Sequence, residues 1–163
     1  MNVTRFLIFL FAALMMGCVK PPIITPASQA EAERAIDHTK ARQLSDSIAD
    51  NLLKDDRASL RNQIEKAARD YYNEASFGST LDQMFAMYGK PLEAYYKMDE
   101  IRRKTGSGGY DKPMRKFWYA VGTPKYLKGS VYLTVEVVPD EGGLATSGFA
   151  LVTFPLGVPP SLK

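Results

Sequence analysis

Between Pro26 and Gly78 the chain carries neither glycine nor proline, and beyond Gly89-Lys90-Pro91 its apolar residues change rhythm. That division constrains the fold more than any other feature. In the first stretch, apolar residues recur at Ile36, Leu44, Ile48, Leu52, Leu53, Leu60, Ile64, Ala67 and Tyr71. Steps of three, four and seven are those of a helix with one buried face. Ser28-Gln29-Ala30-Glu31 is a capping box at its start. The spacing predicts one long helix or two, broken at Lys54-Asp55-Asp56-Arg57, because nothing apolar lies between Leu53 and Ala58. Ser28–Leu53 has a thin apolar stripe among many charges and reads as a helical stalk or weak coiled coil, a route to an oligomer. Ala58–Ala75 reads as a core helix. Gly78 then interrupts, and Thr80-Leu81-Asp82-Gln83 offers a second capping box. Met84, Phe85, Met87 and Tyr88 follow in a short helix stopped by Gly89-Lys90-Pro91.

The remainder alternates. Leu92–Arg103 fits strand or helix equally, whereas Met114–Val121, Ser130–Val138 and Leu144–Phe154 read as strands. The clearest places Val131, Leu133, Val135 and Val137 on one face, with Tyr132, Thr134 and Glu136 on the other. Pro139-Asp140-Glu141-Gly142-Gly143 is turn chemistry, and the prolines of Pro155–Lys163 predict an extended tail. Helices followed by strands predict an α+β fold: helices on one face of an antiparallel sheet of three to four strands. The single domain is expected over residues 28–154. Tyr71-Tyr72-Asn73-Glu74-Ala75, then Met84–Gly89, then Phe117-Trp118-Tyr119-Ala120 and the final strands resemble the cystatin-like half-barrels of the nuclear-transport-factor-two-like superfamily. The resemblance covers Ala58–Phe154, implies a half-barrel and transfers no functional residue.

Upstream of the helical stretch, Arg5 precedes an apolar run from Phe6 to Met16, and Gly17-Cys18 follows directly. The run spans roughly 16 Å as a helix, well short of the about 20 residues that cross a bilayer, but it suits the apolar region of a signal peptide. Met15-Met16-Gly17-Cys18 resembles the cleavage box of bacterial lipoproteins, with Met16 bulkier than the small residue usual there. By that resemblance residues 1–17 are removed, and Cys18 receives a diacylglycerol on sulfur and a third acyl chain on its new amino group. Two or more chains hold a protein stably on a membrane. Cys18 is the only cysteine, which excludes an internal disulfide. By the same resemblance Val19, in place of the aspartate that retains lipoproteins at an inner membrane, points to the outer membrane and a periplasm-facing domain in a host with two membranes. Pro21, Pro22 and Pro26 predict a semi-rigid leash over residues 18–27; the other reading of Ile23-Ile24 is a strand packed on the domain.

A net charge of +3 is too mild to point to nucleic acid. His38 is the only histidine; on the charged first helix, away from the predicted sheet, it reads as exposed. With Cys18 acylated, a His/Cys zinc site and Ser-His-Asp or Cys-His catalysis have too few parts, so neither metal nor cofactor is expected. Glu93, Asp99 and Glu136 are the only candidate acids or bases, and nothing in the spacing pairs them. Gly106-Ser107-Gly108-Gly109 lacks the ending of a phosphate loop. Its flanks, Arg102, Arg103, Lys104, Lys112, Arg115 and Lys116, form a candidate anionic-ligand surface or an ordinary solvated loop. Tyr72, Tyr88, Tyr96, Trp118 and Tyr132 are a candidate pocket between helix and sheet, or plain core. The expectation is a lipid-anchored cell-envelope protein whose small, non-enzymatic domain binds a partner protein or an envelope polymer. The alternative is a small enzyme or apolar-ligand carrier.

Overall fold

The computed structural model describes residues 26–105 and 111–153. Within them the helices α1 (Pro26–Ala35), α2 (His38–Lys54), α3 (Arg57–Asn62), α4 (Lys66–Tyr71) and α5 (Glu74–Tyr88) precede four strands. These are β1 (Glu93–Thr105), β2 (Asp111–Thr123), β3 (Tyr126–Asp140) and β4 (Gly143–Thr153), joined as an antiparallel meander in the order β1-β2-β3-β4. This is the expected α+β order. The ambiguous stretch Leu92–Arg103 is strand, because its backbone pairs with β2 from Glu93↔Gly122 to Thr105↔Asp111. Cys18, the leash before Pro26, Gly106–Tyr110 and the tail from Phe154 lie outside the described residues.

The helical half is cut into more pieces than its spacing predicts. The break at Lys54–Arg57 is present, and two aspartates make it. Asp55 ends α2 in the left-handed region (φ 59), and Asp56 accepts from Ser59 N to cap α3. An earlier break follows Ala35, where Ile36 drops into the core and Asp37 caps α2 through Lys40 N at 2.9 Å. Ala58–Ala75 is not one core helix. Gln63–Glu65 leave the helical path to pair with β4: Thr146 N donates to Gln63 O at 2.8 Å and Glu65 N to Thr146 O at 2.9 Å. Sheet pairing and burial of Ile64 outweigh helix continuation there, and the short α3, marginal by itself, is held by burial of Leu60.

Nor does Gly78 interrupt. Helix α5 starts at Glu74, capped by Asn73, whose side chain accepts from Ser76 N at 2.9 Å. Thr80 sits mid-helix and donates to Ser76 O instead of capping. An interior glycine costs about 1 kcal/mol against alanine, which burial of Phe77 and Leu81, each worth about 1.5–3 kcal/mol, offsets.

All helices except α1 and α4 place buried side chains in one core with Phe117, Tyr119, Val121, Val131, Leu133, Val135, Val137 and Leu151. The expected face of β3 is therefore the one that meets the helices. The stretch read as a stalk contains the central core helix: Ala41, Ser45, Ile48, Ala49 and Leu52 of α2 are all buried. Its stripe looks thin because three of these five are alanine or serine. On the opposite face Trp118, Ala120 and Tyr132 form a second cluster with Met98 and Val152, all from the sheet itself. Among the described residues, no helix is long and apolar enough to cross a membrane.

Candidate functional site

A chain of polar side chains runs between α2 and the β1–β2 edge of the sheet. Residues 38, 42, 45 and 46 share one face of α2, as steps of four and seven dictate. Opposite them stand Tyr96 and Asp99 of β1 and Arg115 and Tyr119 of β2. Tyr96 and Asp99 lie three apart and would point to opposite faces of a regular strand. A bulge at Lys97 shifts the register between Tyr96↔Tyr119 and Met98↔Trp118, which turns both toward the helices.

Asp99 is the centre. Its Oδ1 accepts from the Tyr96 hydroxyl at 2.6 Å and lies 3.2 Å from His38 Nε2, while Oδ2 accepts from Arg115 Nη1. The Asp99 and Arg115 side chains are 12% and 11% exposed, so the ion pair is nearly buried. His38 is 54% exposed and sits at the first turn of α2. One turn on, the Arg42 guanidinium stacks 3.4 Å from the centre of the Tyr96 ring and binds Asp46 at 2.8 Å. The Tyr119 hydroxyl, 2.8 Å from both Ser45 Oγ and Asp46 Oδ1, closes the chain.

Burial works to raise the Asp99 pKa, but hydrogen bonds from Tyr96, Arg115 and His38 and the Arg115 charge outweigh it and hold it below the ordinary value. Burial, then the Asp99 hydrogen bond, pushes the Tyr96 hydroxyl up. Tyr119 is raised further, chiefly by burial and then by Asp46. A carboxylate kept ionised with both oxygens engaged is a poor general base, and phenols raised above their usual range are poor nucleophiles. This chemistry suits a clamp between helix and sheet. Arg115 Nε is buried without a hydrogen-bond partner among the described residues.

The sequence-predicted sites are distributed differently. The six basic residues do not form one surface. Arg115 faces α2, whereas Lys116, its neighbour, points to the other face, 3.3 Å from Glu136 and 5.0 Å from the Trp118 ring centre. Alternation along β2 forces that separation. Arg102 pairs with Glu100 at 2.7 Å and Lys112 with Glu65 at 3.6 Å. The side chains of Arg103 and Lys104 lie outside the described residues, as does Cys18.

The five aromatics do not line one pocket either. Tyr96 belongs to the polar chain, and Trp118 and Tyr132 meet edge to face at 6.5 Å on the opposite side of the sheet. Tyr88 packs near Tyr126 at 6.3 Å, and Tyr72 stands apart beside α5. His38, read as lying away from the sheet, reaches Asp99 on it. The signal for this chain is the polar set His38, Arg42, Ser45 and Asp46 at steps of four and seven along one face of α2, of which Ser45 alone is buried; Asp99 has no such local signal.

Two concavities flank α5. The larger, about 540 Å³, is lined by charged and apolar residues alike, and its arginines are engaged: Arg57 binds Asp55 and Asp82, and Arg61 donates to the Tyr72 and Arg69 carbonyls. The other is an open apolar groove of about 210 Å³ between α4, α5 and β4, lined by Ile64, Ala68, Tyr72, Phe77, Leu81 and Phe149 among others. Its floor depends on a second register shift, between Glu136↔Gly148 and Val137↔Thr146, which keeps Phe149 on the helical side. Exposed Tyr71 and Tyr72 stand edge to face at 5.0 Å near its mouth. Among the described residues, no group of three or more His, Cys, Asp or Glu side chains is disposed to hold a metal ion. No protein-family model, curated protein or solved structure matches this chain.

Proposed function

We propose that the protein is a lipid-anchored component of the cell envelope, attached through Cys18, whose α+β domain binds a partner protein without catalysing a reaction. The apolar groove between α4, α5 and β4 carries the reading. It is open, its walls are aliphatic and aromatic, and two exposed tyrosines flank its mouth. Tyrosine is enriched at protein interfaces because it presents an apolar ring with a polar end. At about 210 Å³ the groove is below the roughly 300–1,000 Å³ of small-molecule sites, which favours one or two side chains of a protein segment over a carried ligand. Dispersal of the four described basic residues, Arg102, Lys112, Arg115 and Lys116, weighs against an anionic envelope polymer. Saturation of Asp99 weighs against the enzyme alternative.

The test is site-specific photo-crosslinking in native membranes, with the reactive group at Tyr72 of the full chain. One protein adduct is expected. It should disappear on Thr80→Arg, which places a long cation on the exposed wall of the groove while membrane association and melting temperature hold. Labelling indifferent to Thr80→Arg, or adducts of lipid or polymer alone, would sink the proposal.

A further inference from the structure

The end of the domain opposite in character to the groove is built from residues 86–92 and 122–126. Gly89, at φ +82, lets the chain turn tightly against Thr123, Pro124 and Lys125, all within 3.3 Å of where a Cβ would sit. Leu92 N donates to Gly122 O at 2.9 Å, Lys125 Nζ caps the Ala86 carbonyl, and the Tyr88 and Tyr126 rings lie 6.3 Å apart. This tight wrap leaves apolar side chains outside: Leu92 is 68% exposed, Met87 61% and Tyr126 38%. Exposed Lys90 and Lys125 stand among them.

We infer that this end is a membrane-facing surface that rests Met87, Leu92 and Tyr126 in the interface of an anionic bilayer, with Lys90 on the headgroups and the charge of Lys125, its Nζ held by the Ala86 carbonyl, beside them. Leucine and methionine supply apolar area to the acyl boundary, and tyrosine favours the headgroup level. Lysine stems run along apolar surface while their ammonium groups stay in water, and their charge is attracted to anionic lipid. Three side chains and two charges bind weakly in free solution. Beside a bilayer the requirement is different, because a tether raises the local concentration of the surface to the millimolar range. The inference rests on the anchored reading only for that tether.

The experiment uses the full chain carrying Met87→Cys labelled with an environment-sensitive fluorophore, alone and with Cys18→Ser. Probes are vesicles of phosphatidylcholine with or without phosphatidylglycerol. The expected result is a blue shift, quenched by brominated lipid, on the anionic vesicles and several-fold smaller on the neutral ones. Leu92→Asp with Tyr126→Asp should lower partitioning at least about tenfold at unchanged melting temperature. A fluorophore that stays in water while the chain is vesicle-bound overturns the surface. So does a shift seen with native membranes but never with pure lipid, which assigns the end to a protein. If both forms partition equally and weakly, with the same lipid dependence, the surface stands and the anchor fails.

Discussion

Removing the carboxylate of Asp99 tests how the edge strand β1 is held to α2. Asp99 accepts from Tyr96 and Arg115 and meets His38, and its ion pair with Arg115 is only 11–12% exposed on either side. Loss of one partner of a buried pair costs about 3–5 kcal/mol, mostly because the other charge is left without compensation. Arg115 already has one unpaired buried nitrogen, so little is available to replace Asp99. Residual exposure places Asp99→Leu near the lower bound, about 3 kcal/mol. The Tyr96 and His38 bonds add about 0.5 kcal/mol each, since both partners can turn to water. Against a total of about 5–15 kcal/mol, this is a large fraction.

Urea unfolding followed by Trp118 fluorescence should show a lower midpoint with unchanged slope. Arg115→Met alone should cost less, because Asp99 keeps its Tyr96 and His38 hydrogen bonds. Asp99→Leu with Arg115→Met removes both charges and should return to within about 1–2 kcal/mol of the parent, a coupling of at least about 2 kcal/mol. A loss below about 1 kcal/mol for Asp99→Leu, or additive singles, refutes the clamp. Acid adds a second reading. The folded carboxylate has a depressed pKa, so its stabilisation is present above the ordinary value and lost as pH falls through the folded one. The stability gap between the parent and Asp99→Asn should therefore close below about pH 4; a gap constant down to pH 3 contradicts the assignment.

Other substitutions separate what each residue does. Asn73→Ala should cost about 1 kcal/mol through loss of the α5 cap, whereas Thr80→Ala should be neutral or stabilising by up to about 0.5 kcal/mol, as a mid-helix site requires; equal losses in thermal unfolding would restore Thr80 as the cap. Leu52→Ala should cost about 2–5 kcal/mol by leaving a cavity under α2, and Leu53→Ala, half-buried, clearly less. If the two are equal in denaturant titrations, α2 does not present the face described. For the anchor, Cys18→Ser should abolish acylation measured by mass spectrometry and leave the signal uncut; normal processing of that variant argues against lipidation.

The strands were legible where alternation is uninterrupted. Val131, Leu133, Val135 and Val137 announce their face because nothing in β3 disturbs the period of two between them. In β1 the extra residue at Lys97 breaks that period, so Leu92–Arg103 matched no single pattern and Tyr96 and Asp99 looked unrelated. Helix α2 hides its buried face for a different reason. Its buried face includes Ala41, Ser45 and Ala49, small or polar residues that a count of large apolar side chains passes over. The aromatic residues were visible as a set, but the sheet sorted them onto two faces and two ends.

By itself the sequence determined the order of helices and strands, the Lys54–Arg57 break, the stop at Gly89 and the alternation of β3. It also carries the lipobox-like segment that underlies the anchoring proposal. All of these are local: each depends on residues within a turn or two of one another, where spacing and backbone preference act directly. Tertiary structure alone decided where Ile36 and Ile64 leave their helices, which basic residues separate, and that His38 and Asp99 meet across 61 positions. The last of these depends on the β1–β2 register and on the bulge at Lys97. One inserted residue reverses which face every later side chain takes, and only pairing with a neighbouring strand reveals the insertion.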